Sequence, residues 1–123
     1  MKFTKLVPNV FYTDIQDGIQ LWIDCLGFHI IFDDRQATTP FCAVEKDSLA
    51  VHLIQDKEFA EKDRPEIRLV TDDIEVVYQN ISSRFPEMLH PNLNKVTLRL
   101  WKALEFAIID RSGVCIVFQQ WAK

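Results

Sequence analysis

One pattern occurs twice in this chain, and that repetition limits the fold more than any other feature of the sequence. Thr13-Asp14-Ile15 opens one helical pattern and Asp72-Asp73-Ile74 opens another, placing Asp14 and Asp73 59 positions apart in a chain of 123 residues. Two copies of one unit fill the sequence. In the first copy Ile15, Ile19, Trp22, Ile23 and Leu26 make an apolar stripe at helical spacing behind Asp14 as N-cap, and Gly27 is a C-terminal stop. In the second, Ile74, Val77, Tyr78, Ile81 and Phe85 follow Asp73, and Pro86 bars continuation.

Each helix is flanked by strand signals. Leu6 to Thr13 and Glu66 to Thr71 precede the helices as short apolar strands. Phe28 to Phe32, Phe41 to Glu45 and Leu49 to Gln55 follow the first, with a turn at Lys46-Asp47-Ser48. Val96 to Leu100, Leu104 to Ile109 and Val114 to Gln119 follow the second, with a turn at Asp110-Arg111-Ser112-Gly113. The unit is βαβββ, used twice, at about residues 5–55 and 65–120 of a single domain covering 1–123. The charged stretch 56–64 connects the copies and has room for a helical turn; 88–95, with Pro91, Asn92 and Asn94, reads as a loop. One βαβββ unit leaves a sheet face bare, so the expected α+β fold is two modules forming a curved mixed sheet around a cleft, the natural ligand site.

Composition excludes several classes of function. The 14 Lys and Arg against 18 Asp and Glu give a net charge of −4 without a basic cluster, which argues against nucleic acid as a partner. The longest apolar run, Val114 to Phe118, is too short to cross a membrane, and the N-terminus lacks a signal-peptide core; a cytoplasmic location is expected. Cys25, Cys42 and Cys115 are then reduced, and without a Cys-x-x-Cys pair they read as small buried hydrophobes. The three His include none beside a Ser or Cys in a nucleophile motif, and the three Gly form no phosphate-cradling loop.

Several stretches carry a family likeness. Leu21-Trp22-Ile23-Asp24-Cys25-Leu26-Gly27-Phe28, and Trp101-Lys102-Ala103-Leu104-Glu105-Phe106 followed by Asp110-Arg111-Ser112-Gly113, in paired βαβββ modules, resemble the glyoxalase/bleomycin resistance protein/dioxygenase (vicinal oxygen chelate) superfamily, and most nearly its bleomycin-resistance branch. The chain departs from that branch's pattern at Lys102 for Gly, Leu104 for Arg and Arg111 for Pro.

The resemblance implies where a divalent ion would sit in metal-dependent members: Val7, His52, Glu66 and Val117 take the four ligand positions. Two valines offer no lone pair, so no metal and no other cofactor is expected. If those positions face the cleft, strand alternation adds Asn9, Phe11, Ala50, Ile54, Arg68, Val70, Cys115 and Gln119 to the lining. The polar handles are Asn9, His52, Glu66, Arg68 and Gln119. Glu66 and Arg68 also fit a structural ion pair, and His52 fits a histidine with no ligand role. The branch's rim aromatic falls on Trp101, and its cleft aromatics on Phe32 and Phe41; each also fits core packing. The function so implied is a non-catalytic, metal-free protein that binds and sequesters a small organic molecule of glycopeptide-antibiotic type. The negative charge favours a cationic ligand. The alternative is a small lyase or isomerase using His52 and Glu66. The resemblance also implies a homodimer with strand or module exchange, Pro8 directing the exchanged arm.

Overall fold

The computed structural model describes residues 1–62 and 64–121; Asp63, in the expected connection, lies outside them. The chain divides into two compact units, Met1–Asp63 and Arg64–Lys123. The first holds β1 (Asn9–Tyr12), α1 (Ile15–Ile19) running on as a π-helical segment (Gln20–Cys25), β2 (His29–Asp34), β3 (Phe41–Lys46), β4 (Leu49–Gln55) and α2 (Lys57–Lys62). The second holds β5 (Glu66–Val70), α3 (Ile74–Arg84), a 3₁₀ turn (Pro86–Met88), β6 (Thr97–Leu98), β7 (Ala103–Ile109) and β8 (Cys115–Trp121). The fold is α+β, with two four-stranded mixed sheets ordered β1-β4-β3-β2 and β5-β8-β7-β6. In each, the first strand runs parallel to the last and the remaining pairings are antiparallel.

The repeat extends to individual hydrogen bonds. Asp14 Oδ1 accepts the Gln16 amide (2.9 Å) and Asp73 Oδ1 accepts the Val76 amide (3.3 Å), satisfying donors that a helix start leaves open. In both units a glutamine on the last strand then ties down the helix. Gln55 Oε1 accepts from the Ile15 amide (2.9 Å), and Gln120 Oε1 from the Ile74 amide (2.8 Å).

One face of each sheet is the core face. In the first unit Val10, Tyr12, Cys42, Val44, Val51 and Leu53 are buried with Ile15, Leu21, Trp22 and Cys25 of the helix. Tyr12 and Trp22 are linked by the indole Nε1–H donating to the Tyr12 hydroxyl (3.2 Å), and Gly18 lies against the Tyr12 ring so closely that a Cβ there would come within 2.6 Å of Cε2. In the second unit Phe106 stacks on Phe118 (centroids 4.6 Å apart), with Ile108, Ile116, Ile74, Ile81 and Met88 buried around them.

Several boundaries differ from the sequence expectation. The first helix leaves α geometry after Ile19, and the amide of Leu26 bonds back to Leu21 O (3.0 Å). The wider turn brings Leu21 and Cys25 into the core, while Ile19, Ile23 and Leu26 of the expected stripe are only half-buried. Strand β1 begins at Asn9 rather than Leu6, since Pro8 has no N–H to donate; its carbonyl still accepts from the His52 amide (3.0 Å). β6 is cut to Thr97–Leu98. The expected loop before it fastens to β7 instead: the His90 amide donates to Ala107 O, and the Ala107 amide to Leu93 O (2.9 Å each). The β3–β4 hairpin turns on Asp47 (φ 53°) and Ser48 (φ 70°), left-handed residues that suit a two-residue loop.

Candidate functional site

Strand alternation leaves a second face on each sheet, and the sequence-predicted site residues sit on these faces or at their ends. In the first unit, Asn9 lies beside His52 in the β1–β4 register, and His52 beside Ala43 in the β3–β4 register. The rings of Phe32, Phe41 and His52 form a row: Phe32 to Phe41 at 5.8 Å, and Phe41 edge-on to His52 at 5.1 Å. Phe41 and His52 are half-buried and Phe32 is 55% exposed. Phe11, on the same face, meets Phe59 of α2 with centroids 5.0 Å apart. These residues form an apolar surface with few polar atoms.

The corresponding face of the second unit is polar at its centre. Glu105, in the middle of β7, is 1% exposed and pairs in register with Gln119, 5% exposed, on β8. Glu105 Oε2 accepts the Gln119 Nε2–H (2.7 Å) and the Trp101 indole Nε1–H (2.9 Å). Its other oxygen, Oε1, lies 3.9 Å from Arg99 Nε, and the Arg99 guanidinium sits over the Trp101 ring, 5.0 Å from its centroid. Burying a carboxylate is costly unless it is hydrogen-bonded, and these donors supply the compensation.

Trp101 is 46% exposed, at the tip of the β6–β7 hairpin. The Lys102 amide donates to Arg99 O and the Arg99 amide to Ala103 O (2.9 Å each), and Lys102 has φ 66°. A three-residue hairpin loop closed by a left-handed residue has this form, and it accounts for the glycine that the resembling pattern places at position 102. The β7–β8 hairpin puts Gly113 (φ 88°) where its own loop needs that conformation, and Asp110 Oδ1 accepts the amides of Ser112 and Val114 (2.9 Å each).

Glu66 and Arg68 form an exposed ion pair (3.0 Å) along β5. Cys115, beside Glu66 in register, is half-buried; burial and, secondarily, the Glu66 charge push its thiol up, which keeps it protonated and a weak nucleophile. Cys42 is buried and also pushed up by burial. At the four positions that the resemblance marks as metal-ligand positions, each unit here has one donor side chain, His52 in the first and Glu66 in the second, and a valine at the other position. Among the described residues no three His, Cys, Asp or Glu side chains gather as a metal site.

Glu105 and Arg99 were not among the site residues read from sequence. A single carboxylate within the apolar strand Ala103 to Ile109 is the signal that marks Glu105, since a charge inside a central strand must be paired with something. No comparable signal marks Arg99.

No protein-family model matches this sequence, and no curated protein matches it. Solved structures do. The bleomycin-binding protein from bleomycin-producing Streptomyces verticillus, complexed with copper(II)-bleomycin, superposes with a TM-score of 0.74 at 20% identity, over 100% of this chain and 99% of that one. TnmS3, an antibiotic binding protein from a Streptomyces species, gives 0.76 at 14% identity over 98% of both chains. A member of the glyoxalase/bleomycin resistance protein/dioxygenase superfamily from Sphaerobacter thermophilus gives 0.73 at 17% identity, over 97% of this chain and 98% of that one. At these identities the likeness establishes the fold, which is the one these proteins share.

Proposed function

We propose that this protein binds a small organic molecule of antibiotic type and sequesters it without chemical change or a metal ion. The observation that carries the reading is Trp101, a large aromatic held half in solvent by a buried carboxylate. A ring fixed in this way is pre-organised for stacking, because little side-chain entropy remains to be lost on binding. The aromatic row Phe32–Phe41–His52 gives the first unit a second apolar contact surface. Of the proteins with the same fold, one is a bleomycin-binding protein complexed with copper(II)-bleomycin and another is an antibiotic binding protein, which supports the ligand class. The valines at positions 7 and 117 support independence from metal. Glu66 is engaged with Arg68 and His52 with the Phe41 ring, arrangements that favour binding over acid–base chemistry.

The proposal includes a homodimer in which N-terminal segments exchange. Residues 1–6 are exposed, with Phe3 and Leu6 presenting apolar side chains that a second copy would cover. Light scattering at micromolar concentration checks this, and a 14.4 kDa species would overturn it. A thermal-shift screen of bleomycin-type antibiotics and divalent metals, with and without chelator, tests the function. An antibiotic at a hundred times its Kd adds about 2.7 kcal/mol of stability. Stabilisation by a metal alone would overturn the metal-free reading.

A further inference from the structure

The face of Trp101 already carries a cation. The Arg99 guanidinium lies 5.0 Å from the ring centroid, in the position that a positively charged ligand would take on an indole. We propose that the platform is a cation-exchange site, in which Arg99 is a resident cation that a flat organic cation displaces while Glu105 stays in place. This deepens the functional reading and rests on it.

The hold on the two charged groups is unequal. Glu105 is buried, and its Oε2 is fixed by two N–H donors, from Trp101 and Gln119. Arg99 Nε is 3.9 Å from Oε1, beyond hydrogen-bond distance, and 37% of its side chain is exposed. A guanidinium so placed can swing into water at small cost, whereas the carboxylate cannot leave. Its departure uncovers an indole face beside a buried carboxylate that keeps its two N–H donors but has lost its nearest positive charge, and that pair recognises a planar positive group: the ring stacks it and Oε1 supplies the countercharge. A neutral isostere gains only the stacking. An anion meets Glu105 as a like charge.

Benzamidine, benzamide and benzoate, which are cationic, neutral and anionic planar probes, test this by NMR titration of the full-length protein. Benzamidine should bind with a Kd of millimolar order, at least about fivefold tighter than benzamide, with benzoate weakest. As the site fills, the Arg99 Nε–H resonance, assigned by its loss in Arg99→Met, should move to the position of a solvated guanidinium. The Trp101 indole N–H should stay at its hydrogen-bonded position. Arg99→Met keeps the stem and removes the competing charge, so benzamidine should bind roughly two- to fivefold tighter. Glu105→Gln should abolish the preference for benzamidine over benzamide.

Weaker benzamidine binding in Arg99→Met, an Arg99 resonance unmoved at saturation, tighter binding of benzoate, or no benzamidine binding at millimolar concentration would each overturn the exchange. Trp101→Ala separates the two levels. Benzamidine binding that survives Trp101→Ala removes the platform itself. Binding lost in Trp101→Ala but weakened by Arg99→Met leaves the platform and removes only the exchange.

Discussion

The two modules solve the same packing problem with different side chains. With Asp14 matched to Asp73, Tyr12 falls on Thr71, Gly18 on Val77 and Trp22 on Ile81. The first module puts a buried tyrosine at the end of its first strand and must use glycine in the facing helix. The second has a small residue at the strand position and a β-branched one in the helix. Bulk moved from one element to the other leaves the fold unchanged, as expected where total volume is conserved. The second faces of the sheets differ more consequentially. The strand registers match Phe41 and Ile54 of the first unit to Glu105 and Gln119 of the second. At one pair of positions the chain has an aromatic and an aliphatic side chain; at the other it has a buried carboxylate and the amide that satisfies it. One face is thus built for apolar contact and the other for holding charge.

The sharpest way to break this comparison is to make the faces alike. Glu105→Leu removes the acceptor of the Trp101 and Gln119 N–H groups and should cost about 2–3 kcal/mol in urea melts, whereas Phe41→Leu should cost less than about 1.5 kcal/mol. Equal costs would show that the carboxylate is no better integrated than the phenyl ring. Next in size, Gly18→Ala should destabilise by roughly 1–2 kcal/mol, overpacking against Tyr12 outweighing the gain in helix propensity. A more stable Gly18→Ala would mean that Tyr12 yields. Lys102→Gly should stabilise by about 1 kcal/mol by relieving the left-handed backbone, seen as a raised Tm.

The smallest effect concerns two acid–arginine pairs spaced alike in sequence, Asp33 with Arg35 and Glu66 with Arg68. Arg35 donates to Asp33 through two side-chain bonds (2.9 and 2.7 Å) and its own amide (3.1 Å), and those bonds hold the Asp33 carboxyl down from 3.8 to about 2. With the folded pKa depressed, the pair's contribution is present above the ordinary carboxylate range and is lost as pH falls through about 2. Solvent screening keeps it small. NMR titration should show Asp33 returning toward 3.8 in Arg35→Ala.

Much of this was legible in the sequence because repetition and capping are local signals. Asp14 and Asp73, the strand alternation and both hairpin turns follow from residue type and spacing. The π-helical segment was not legible: Gln20 to Cys25 reads as an ordinary α-helical stripe, and nothing local in the sequence marks the wider bonding of the Leu26 amide back to Leu21 O. The shortened β6 was hidden because the pairing of residues 90 and 93 with Ala107 is a long-range choice with no local mark. The candidates at 52, 66, 101 and 119 come from the resemblance and alternation. Their partners could not, since a hydrogen bond from Trp101 or Gln119 to Glu105 is a matter of register and rotamer.

Calorimetric titration of a bleomycin-type antibiotic into metal-stripped protein, for wild type and Trp101→Ala side by side, tests metal-free ligand binding most directly. Saturable binding in the presence of chelator, weakened by roughly 1–3 kcal/mol in the variant, is the expected result. No binding by the wild type, or binding that begins only when a divalent ion is added, would contradict it.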